Sequence, residues 1–279
     1  MKHRYRNDHN ARMVSAYWKK PLDKKDWYVV NVANEDNPAE IFIYDVIGWP
    51  FNDAGDLVRQ MSYLKDQGRE VVLRINSPGG DVFDGLAIYA EASRNPNLTI
   101  RIESLAASMA SGISMASKNK VQMYPQAMMM IHEPMTGFYG NQHEFREIAD
   151  FLGQINDNLV GLYTNKTKKS KKDIKDLMKA ETWMNAETAL KEGFIDEIIK
   201  PGDKKPAKAS FDLSVFDNLP SELKPAPTVR DLERALRDVG LSQTEAKAVV
   251  AGGYKAKSED PVARSLEKLN NILKGGSHA

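Results

Sequence analysis

Cysteine is absent from all 279 residues. Disulfides, a thiol nucleophile and thiolate metal ligands are therefore excluded, and the absence fits a reducing compartment. Neither charge sign dominates: 39 Lys and Arg stand against 38 Asp and Glu, for a net charge of +1. Such a balance gives no electrostatic footprint for nucleic acid or an anionic membrane. No apolar run approaches the roughly 20 residues of a membrane span. The opening stretch, MKHRYRNDHNARM, is charged and lacks the apolar segment of a secretory signal. A soluble cytoplasmic protein is expected. The chain also lacks a GxxxxGK phosphate loop and a GxGxxG turn, and HEPMT and HEFRE both lack the second histidine of a zincin helix. The five histidines, at positions 3, 9, 132, 143 and 278, are scattered. Neither a metal nor a cofactor is expected. Hydrophobic residues at 42% and charged residues at 28% give a globular composition.

Strand and helix signals alternate along most of the chain. Residues 1–25 are basic and aperiodic and read as an arm. WYVVNVA (27–33) and AEIFIYDVIG (39–48) are strand-like. Leu57, Met61 and Leu64 repeat at helical spacing between a capping Asp53 and a terminating Gly68. EVVLRIN (70–76) is a strand that runs into the turn Ser77-Pro78-Gly79-Gly80, and DVFDGLAIYAEASRN follows as a helix. LTIRIESL (98–105) is another strand, and a helix is expected from about Ser108. KVQMYPQAMMMIHEP gives two short strands separated by Pro125. Alternation of this kind implies βαβ units and a largely parallel sheet, with ligands collecting where strands end and helices begin.

Residues 142–164 form a long helix in which Phe145, Ile148, Leu152, Ile155, Leu159 and Leu162 step by three and four. That seam is buried either against its own domain or against another subunit. SKKD (170–173) begins a further helix, Asn185 and Gly193 bound a short one, and FIDEII is a last strand. Composition shifts at residue 201 towards Pro, Lys and small residues. The expected organisation is an arm (1–25), a main domain (26–200), a linker (201–227) and a small helical extension (228–279). The extension has two short helices around Gly240, capped by Thr228 and Ser242, and a possible third in SLEKLNNILKGGSHA.

The segment SLAASMASGISMAS (104–117) packs five serines and no charge into 14 residues. It is too polar for an ordinary core and too small in side-chain volume for an ordinary surface helix. A serine at a helix start (Ser108), a diglycine turn after a strand (Gly79-Gly80) and a histidine at a strand exit (His132) are three parts of an acyl-transfer site. A serine hydroxyl needs a base within hydrogen-bond reach, and an oxyanion needs two amide donors, which glycine allows to approach closely. Spacing alone does not choose between Ser108 and Ser111.

Four segments then resemble the ClpP serine peptidases. INSPGGDVFDGLAIYA resembles their SPGG turn, and ESLAASMAS their nucleophile segment. MMMIHEPMTGFYGNQHE resembles the segment carrying the catalytic histidine and a glycine-flanked strand, and AETWMNAETALKEGFIDEI the closing segment. Order and spacing match over residues 40–199. The likeness is closest to the ClpP-related head maturation proteases of tailed phages and prophages, which often carry a divergent arm and a C-terminal extension.

The resemblance implies an α/β fold, a ClpP/crotonase-like spiral of ββα units with a long protruding helix. It implies Ser108 as nucleophile, His132 as general base, and the amides of Gly80 and Met109 as the oxyanion hole. Gly79, Gly137 and Gly140 would line the substrate, with the Met109 side chain in a specificity pocket. The family's aspartate falls at Glu181, a departure that the longer side chain must accommodate; Asp176 and Asp196 are alternatives. Ala106, Ala107, Ala110 and Gly112 are then small so that a peptide and a facing strand approach Ser108. A ring-shaped homo-oligomer is implied, a heptamer or stacked heptamers joined through the long helix. By the phage analogy the substrate is capsid or scaffolding protein, cleaved without an ATPase in the host cytoplasm, inside the assembling procapsid. Nucleic acid and membrane are not expected partners. Two competing readings are a capsid-assembly scaffold or binding protein on a ClpP-like body, with secondary or lost peptidase activity, and a crotonase-like acyl-CoA enzyme. A Ser–Lys dyad enzyme on the same fold would require a membrane anchor.

Overall fold

The computed structural model describes residues 14–18, 27–32, 37–200, 211–224 and 228–251. Contacts divide the chain into two compact units, Met1–Glu222 and Leu223–Ala279.

The first unit is built on an eight-stranded sheet. Its strands are β1 (Tyr28–Asn31), β2 (Ala39–Ile43), β3 (Val71–Ser77), β4 (Leu98–Ala107), β5 (Lys120–Met123), β6 (Met128–Ile131), β7 (Thr182–Asn185) and β8 (Glu197–Ile198). The order β1-β2-β3-β4-β5-β8 is parallel after the antiparallel β1–β2 pair. Strand β4 is long enough to serve two partners on one edge. Thr99–Ile102 pair with β5, and Leu105–Ala107 pair with β6. β7 returns antiparallel beside β6. The strands are shorter than their apolar runs: the second ends at Ile43, although the pattern extends to residue 48.

Helices α1 (Ala54–Asp66), α2 (Val82–Ala92), α3 (Met109–Ser114), α4 (Gln142–Thr167), α5 (Lys171–Lys179) and α6 (Ala186–Lys191) cross between strands. Their starts follow ordinary capping chemistry. Asp53 accepts from the Gly55 amide, Asp81 from Phe83 and Asp84, Ser170 from Asp173, and Asn185 from Thr188. Asn141 and Glu144 form a reciprocal capping box at α4. Gly68 (φ 68°) and Gly193 (φ 81°) follow the ends of α1 and α6 in the left-handed region.

One face of the sheet is a continuous core of Ile41, Ile43, Leu73, Ile75, Ile100 and Ile102 beneath Leu57, Met61 and Ile88. The opposite face carries a charged cluster. Arg74 pairs with the buried Glu103 at 2.7 Å and with Glu40 at 3.0 Å, and its guanidinium lies 4.6 Å from the Phe42 ring centre. Burial of a carboxylate is tolerable here because its charge is met.

Helix α4 is about 39 Å long at 1.5 Å per residue. Only its second half is buried, through Ile155, Leu159, Val160 and Tyr163. Phe145 and Phe151, in the first half, are exposed, and Phe151 stacks on the exposed Phe83 at 6.3 Å. The seam therefore divides. Its C-terminal part is buried on its own domain, whereas its N-terminal part leaves Phe145 and Phe151 exposed and touches the domain through the Phe83 stack.

Residues 211–219, within the expected linker, pack on the first unit: Phe216 and Leu219 are buried, and Phe211, Leu213 and Val215 flank Phe216 in a second apolar cluster. Within the arm, residues 14–17 form a helical turn. The second unit holds α7 (Val229–Asp238) and α8 (Gln243–Val250), each started by a capping box, around Leu236, Leu241 and Ala246. The expected third helix lies outside the described residues.

Ile100 sits at the centre of β4 with no solvent exposure. Ile100→Ala removes three buried carbons and leaves a cavity, so stability should fall by about 3 kcal/mol. A lower urea midpoint with an unchanged slope is the expected result.

Candidate active site

Register brings the candidate residues together. Ser77 is opposite Ala106 and Ala107 is opposite Met130 in parallel pairs. Continuing each strand past these pairs sets Gly79 beside Ser108 and sends His132 out of the same sheet edge. The Ser108 amide extends this ladder, donating to the Met130 carbonyl at 3.0 Å. The His132 Nε2 lies 2.8 Å from Ser108 Oγ.

Ser108 links β4 to α3 with φ 52° and ψ −127°. A non-glycine residue in this region costs on the order of 1–3 kcal/mol and persists only where its surroundings impose it. The turn leaves Ser108 partly exposed between a buried strand and a buried helix. Ser111 is fully buried and its hydroxyl is committed to the Ser108 carbonyl at 2.5 Å and the Tyr163 hydroxyl at 2.8 Å. Of the two serines, Ser108 is the one whose hydroxyl meets His132.

The SPGG turn is fixed on both sides. The buried Ser77 hydroxyl donates to the Asp45 carbonyl at 2.6 Å and accepts from the Gly79 amide at 3.1 Å. Ile47 donates to the Gly79 carbonyl, and Asp81 donates to the Ile47 carbonyl. Gly79 (φ 97°) has no room for a side chain, since a Cβ would stand 2.6 Å from Ser108 Cβ and 3.0 Å from the Met109 amide nitrogen. At Gly80 (φ 149°) a Cβ would fall 2.0 Å from the Ile47 carbonyl oxygen. Among the described residues, neither the Gly80 nor the Met109 amide donates a hydrogen bond, so both are available to an incoming oxyanion.

Several small residues serve the packing of the site. Ala106, Ala107 and Ala110 are fully buried, the first two between neighbouring strands. Gly112 and Gly85 clear space for the Met109 side chain, which is 3% exposed and wedged between them. Met109 thus offers its backbone to the site while its thioether is core. Gly137 and Gly140 lie in the 132–141 connection, which forms no strand.

His132 is mostly enclosed. Burial lowers its pKa below the ordinary 6.5, while the carboxylates of Glu181, Asp217 and Glu133 pull in the opposite direction. With Nε2 accepting from Ser108, the ring proton sits on Nδ1. Among the described residues no acceptor receives that proton.

Glu181 follows α5 at φ 48° and is close enough to act on the imidazole electrostatically. Its carboxylate is committed elsewhere. Oε1 accepts from the Asn218 amide at 2.7 Å and the Trp183 indole at 3.3 Å, and Oε2 accepts from the Asp217 amide at 3.0 Å. The alternatives are also engaged: Asp176 pairs with Lys172, and Asp196 accepts from Lys166 and the Val121 amide. Sequence reasoning missed the 216–218 segment altogether. The Phe216 ring meets His132 edge-on at 5.7 Å and Trp183 at 5.6 Å.

A hydroxyl held on an imidazole beside two unpaired amides at a parallel-sheet edge is the equipment of nucleophilic acyl transfer. The family model described as Clp protease matches residues 29–202. The chain is 33% identical over 165 residues to an ATP-dependent Clp protease proteolytic subunit 1 from Protochlamydia amoebophila, covering 57% of this chain and 79% of that one. It is 34% identical over 151 residues to an ATP-dependent Clp protease proteolytic subunit from Deinococcus radiodurans, covering 52% and 74%. The chain belongs to the Clp protease family, the ClpP-type serine peptidases.

Because burial is the leading influence on His132, its imidazole should titrate below 6.5. Histidine-selective ¹³C labelling, with His132→Gln to assign the signal, measures this directly. A midpoint at or above 6.5 would contradict the predominance of burial over the three nearby carboxylates.

Proposed function

We propose that this protein is a serine endopeptidase that processes capsid or scaffolding protein during phage head maturation. The observation that carries the hydrolytic part is the 2.8 Å contact between Ser108 Oγ and His132 Nε2. Ser108 attacks the scissile carbonyl as His132 takes its proton. The amides of Gly80 and Met109 receive the negative oxygen. His132 returns the proton to the leaving amine, and water, activated by the same imidazole, releases the acyl-enzyme. Glu181 is the acid best placed to support the imidazolium.

The phage-specific part rests on organisation. The family match ends at residue 202, and the chain continues through a separate helical unit. An enzyme with its own adaptor for a shell protein, enclosed with its substrate in a procapsid within the host cytoplasm, needs no ATPase to deliver that substrate. Assembly into rings, as is typical of ClpP proteins, would cover the exposed Phe145 and Phe151 of α4 and Phe83 of α2, and heptamers stacked through α4 are the expected form.

Ser108→Ala should lower peptide hydrolysis by about 10⁴-fold or more, since the nucleophile and base act as one unit. Incubating the purified protein and its Ser108→Ala form with the capsid protein encoded beside it, followed by mass spectrometry, tests both parts. Capsid cleavage only by the Ser108 form supports the proposal. Cleavage by both forms would remove Ser108 from the mechanism, and cleavage of generic peptides but not of the capsid protein would remove the phage substrate.

A further inference from the structure

Residues 211–219 occupy a groove beside the catalytic pair. Phe216 is 5% exposed against Leu105, Ala107 and Met130, with Met128 and Trp183 alongside. These residues come from β4 and β6, the strands that deliver Ser108 and His132, and from β7 beside β6. The arm closes over the segment: Tyr17 donates to the Val215 carbonyl at 3.2 Å, and Trp18 meets the Phe216 ring at 6.2 Å. Once Phe216 is seated, the next two amides, of Asp217 and Asn218, point at the Glu181 carboxylate. Asn218 Nδ2 also donates to the Ala180 carbonyl at 3.0 Å.

We propose that residues 211–219 are a latch that diverts the Glu181 carboxylate from His132 and so holds the catalytic centre in a low-activity state. This inference rests on the serine peptidase reading. Both parts of the disconnection are visible in one structure. The acid already accepts from three N–H donors, and the Nδ1 proton it would accept has no partner among the described residues. The latch does not plug the site, because Ser108, His132 and Gly80 all keep some exposure. It acts on orientation: without an acceptor at Nδ1 the imidazole loses the group that fixes its tautomer and stabilises its charged form. Release of the segment frees two of the three donors from Glu181 and removes the Phe216 ring from the imidazole. Phe216, Asp217 and Asn218 are thus positioning residues; none of them handles substrate.

The test uses the full-length protein in six forms: parent, Val215→Ser/Phe216→Ser, Asn218→Pro, and each of these three combined with Glu181→Gln. The serine pair removes the apolar anchor. Asn218→Pro removes the amide donor to Glu181 and the Nδ2 donor to Ala180 and leaves the anchor, so a folding defect in the first variant does not end the experiment. Hydrolysis of a fluorogenic peptide and the His132 ¹³C titration are measured on each. The ionisable groups acting on His132 are the carboxylates of Glu181, Asp217 and Glu133, with the Tyr17 phenol close to the first two. Release should raise kcat at least fivefold and move the His132 midpoint upward. Adding Glu181→Gln should reverse both effects and should cost at least tenfold more in the released forms than in the parent. A released form with a lower kcat and an unmoved midpoint would show that the segment builds the site rather than restrains it, and the latch would be discarded. If no form hydrolyses peptide, the peptidase reading fails separately. In that case an upward midpoint that depends on Glu181 still supports the latch, and an unmoved midpoint overturns it.

Discussion

One strand serving two partners in register is the constraint on which the site depends. The first part of β4 is held by β5 and the second part by β6, with β3 along the other side. Parallel pairing leaves no freedom in what stands beside what once a single pair is set. The pairs Ser77–Ala106 and Ala107–Met130 therefore place the diglycine, the serine and the histidine at one edge. A slip of one residue in either ladder would turn Ser108 or His132 to the wrong face. The fully buried isoleucines of β2, β3 and β4 oppose that slip, because they alternate inward with the same register. The strained backbone at Ser108 is supported by the same packing: its amide is tied to β6 and its carbonyl accepts from Ser111 and Gly112.

Electrostatics at the site are set by enclosure. Burial keeps the imidazole neutral, which suits a base but disfavours the imidazolium that must form during attack. A carboxylate near Nδ1 resolves the conflict by stabilising charge only when it appears. Glu181 is near enough to act through space, yet its directional bonds go to the 217 and 218 amides and to Trp183. The longer glutamate side chain is relevant here. It extends from a backbone in the left-handed region, and it reaches the amides of the returning segment.

The order of elements and the helix caps at Asp53, Asn185, Thr228 and Ser242 were legible in the sequence, because each rests on local chemistry; spacing left Ser108 and Ser111 open, and only the family resemblance named Ser108 with His132. Less legible was why the 104–117 segment is small. Ala106, Ala107 and Gly112 answer to neighbouring strands and to the Met109 side chain, contacts far apart in the chain. The long helix seam read as one stripe, but the structure buries only Ile155 onwards. Periodicity reports an apolar face and says nothing of how far the partner extends. The Phe216 segment was invisible for a related reason. Its setting among Pro- and Lys-rich stretches reads as linker, and the apolar residues at 211, 213, 215 and 216 acquire meaning only against Met130 and Trp183.

That segment is also balanced in a way that suits a switch. Seating Phe216 contributes about 2–3 kcal/mol, and partial burial of its apolar neighbours adds roughly as much again. The two amide bonds to a carboxylate add about 1.5–3 kcal/mol each at most. Ordering nine residues costs on the order of 10 kcal/mol. The two sides offset to within a few kcal/mol, so a modest differential affinity can shift the population between docked and free states. A binding event on a flanking piece of chain would supply such a bias, because in sequence the segment follows the Clp-family match and precedes the helices α7 and α8. Through Tyr17 and Trp18 the N-terminal arm has a hold on it as well. Control of the imidazole would thus come from outside the strands that build it, which is why the fold can keep its register fixed while the acid changes partners.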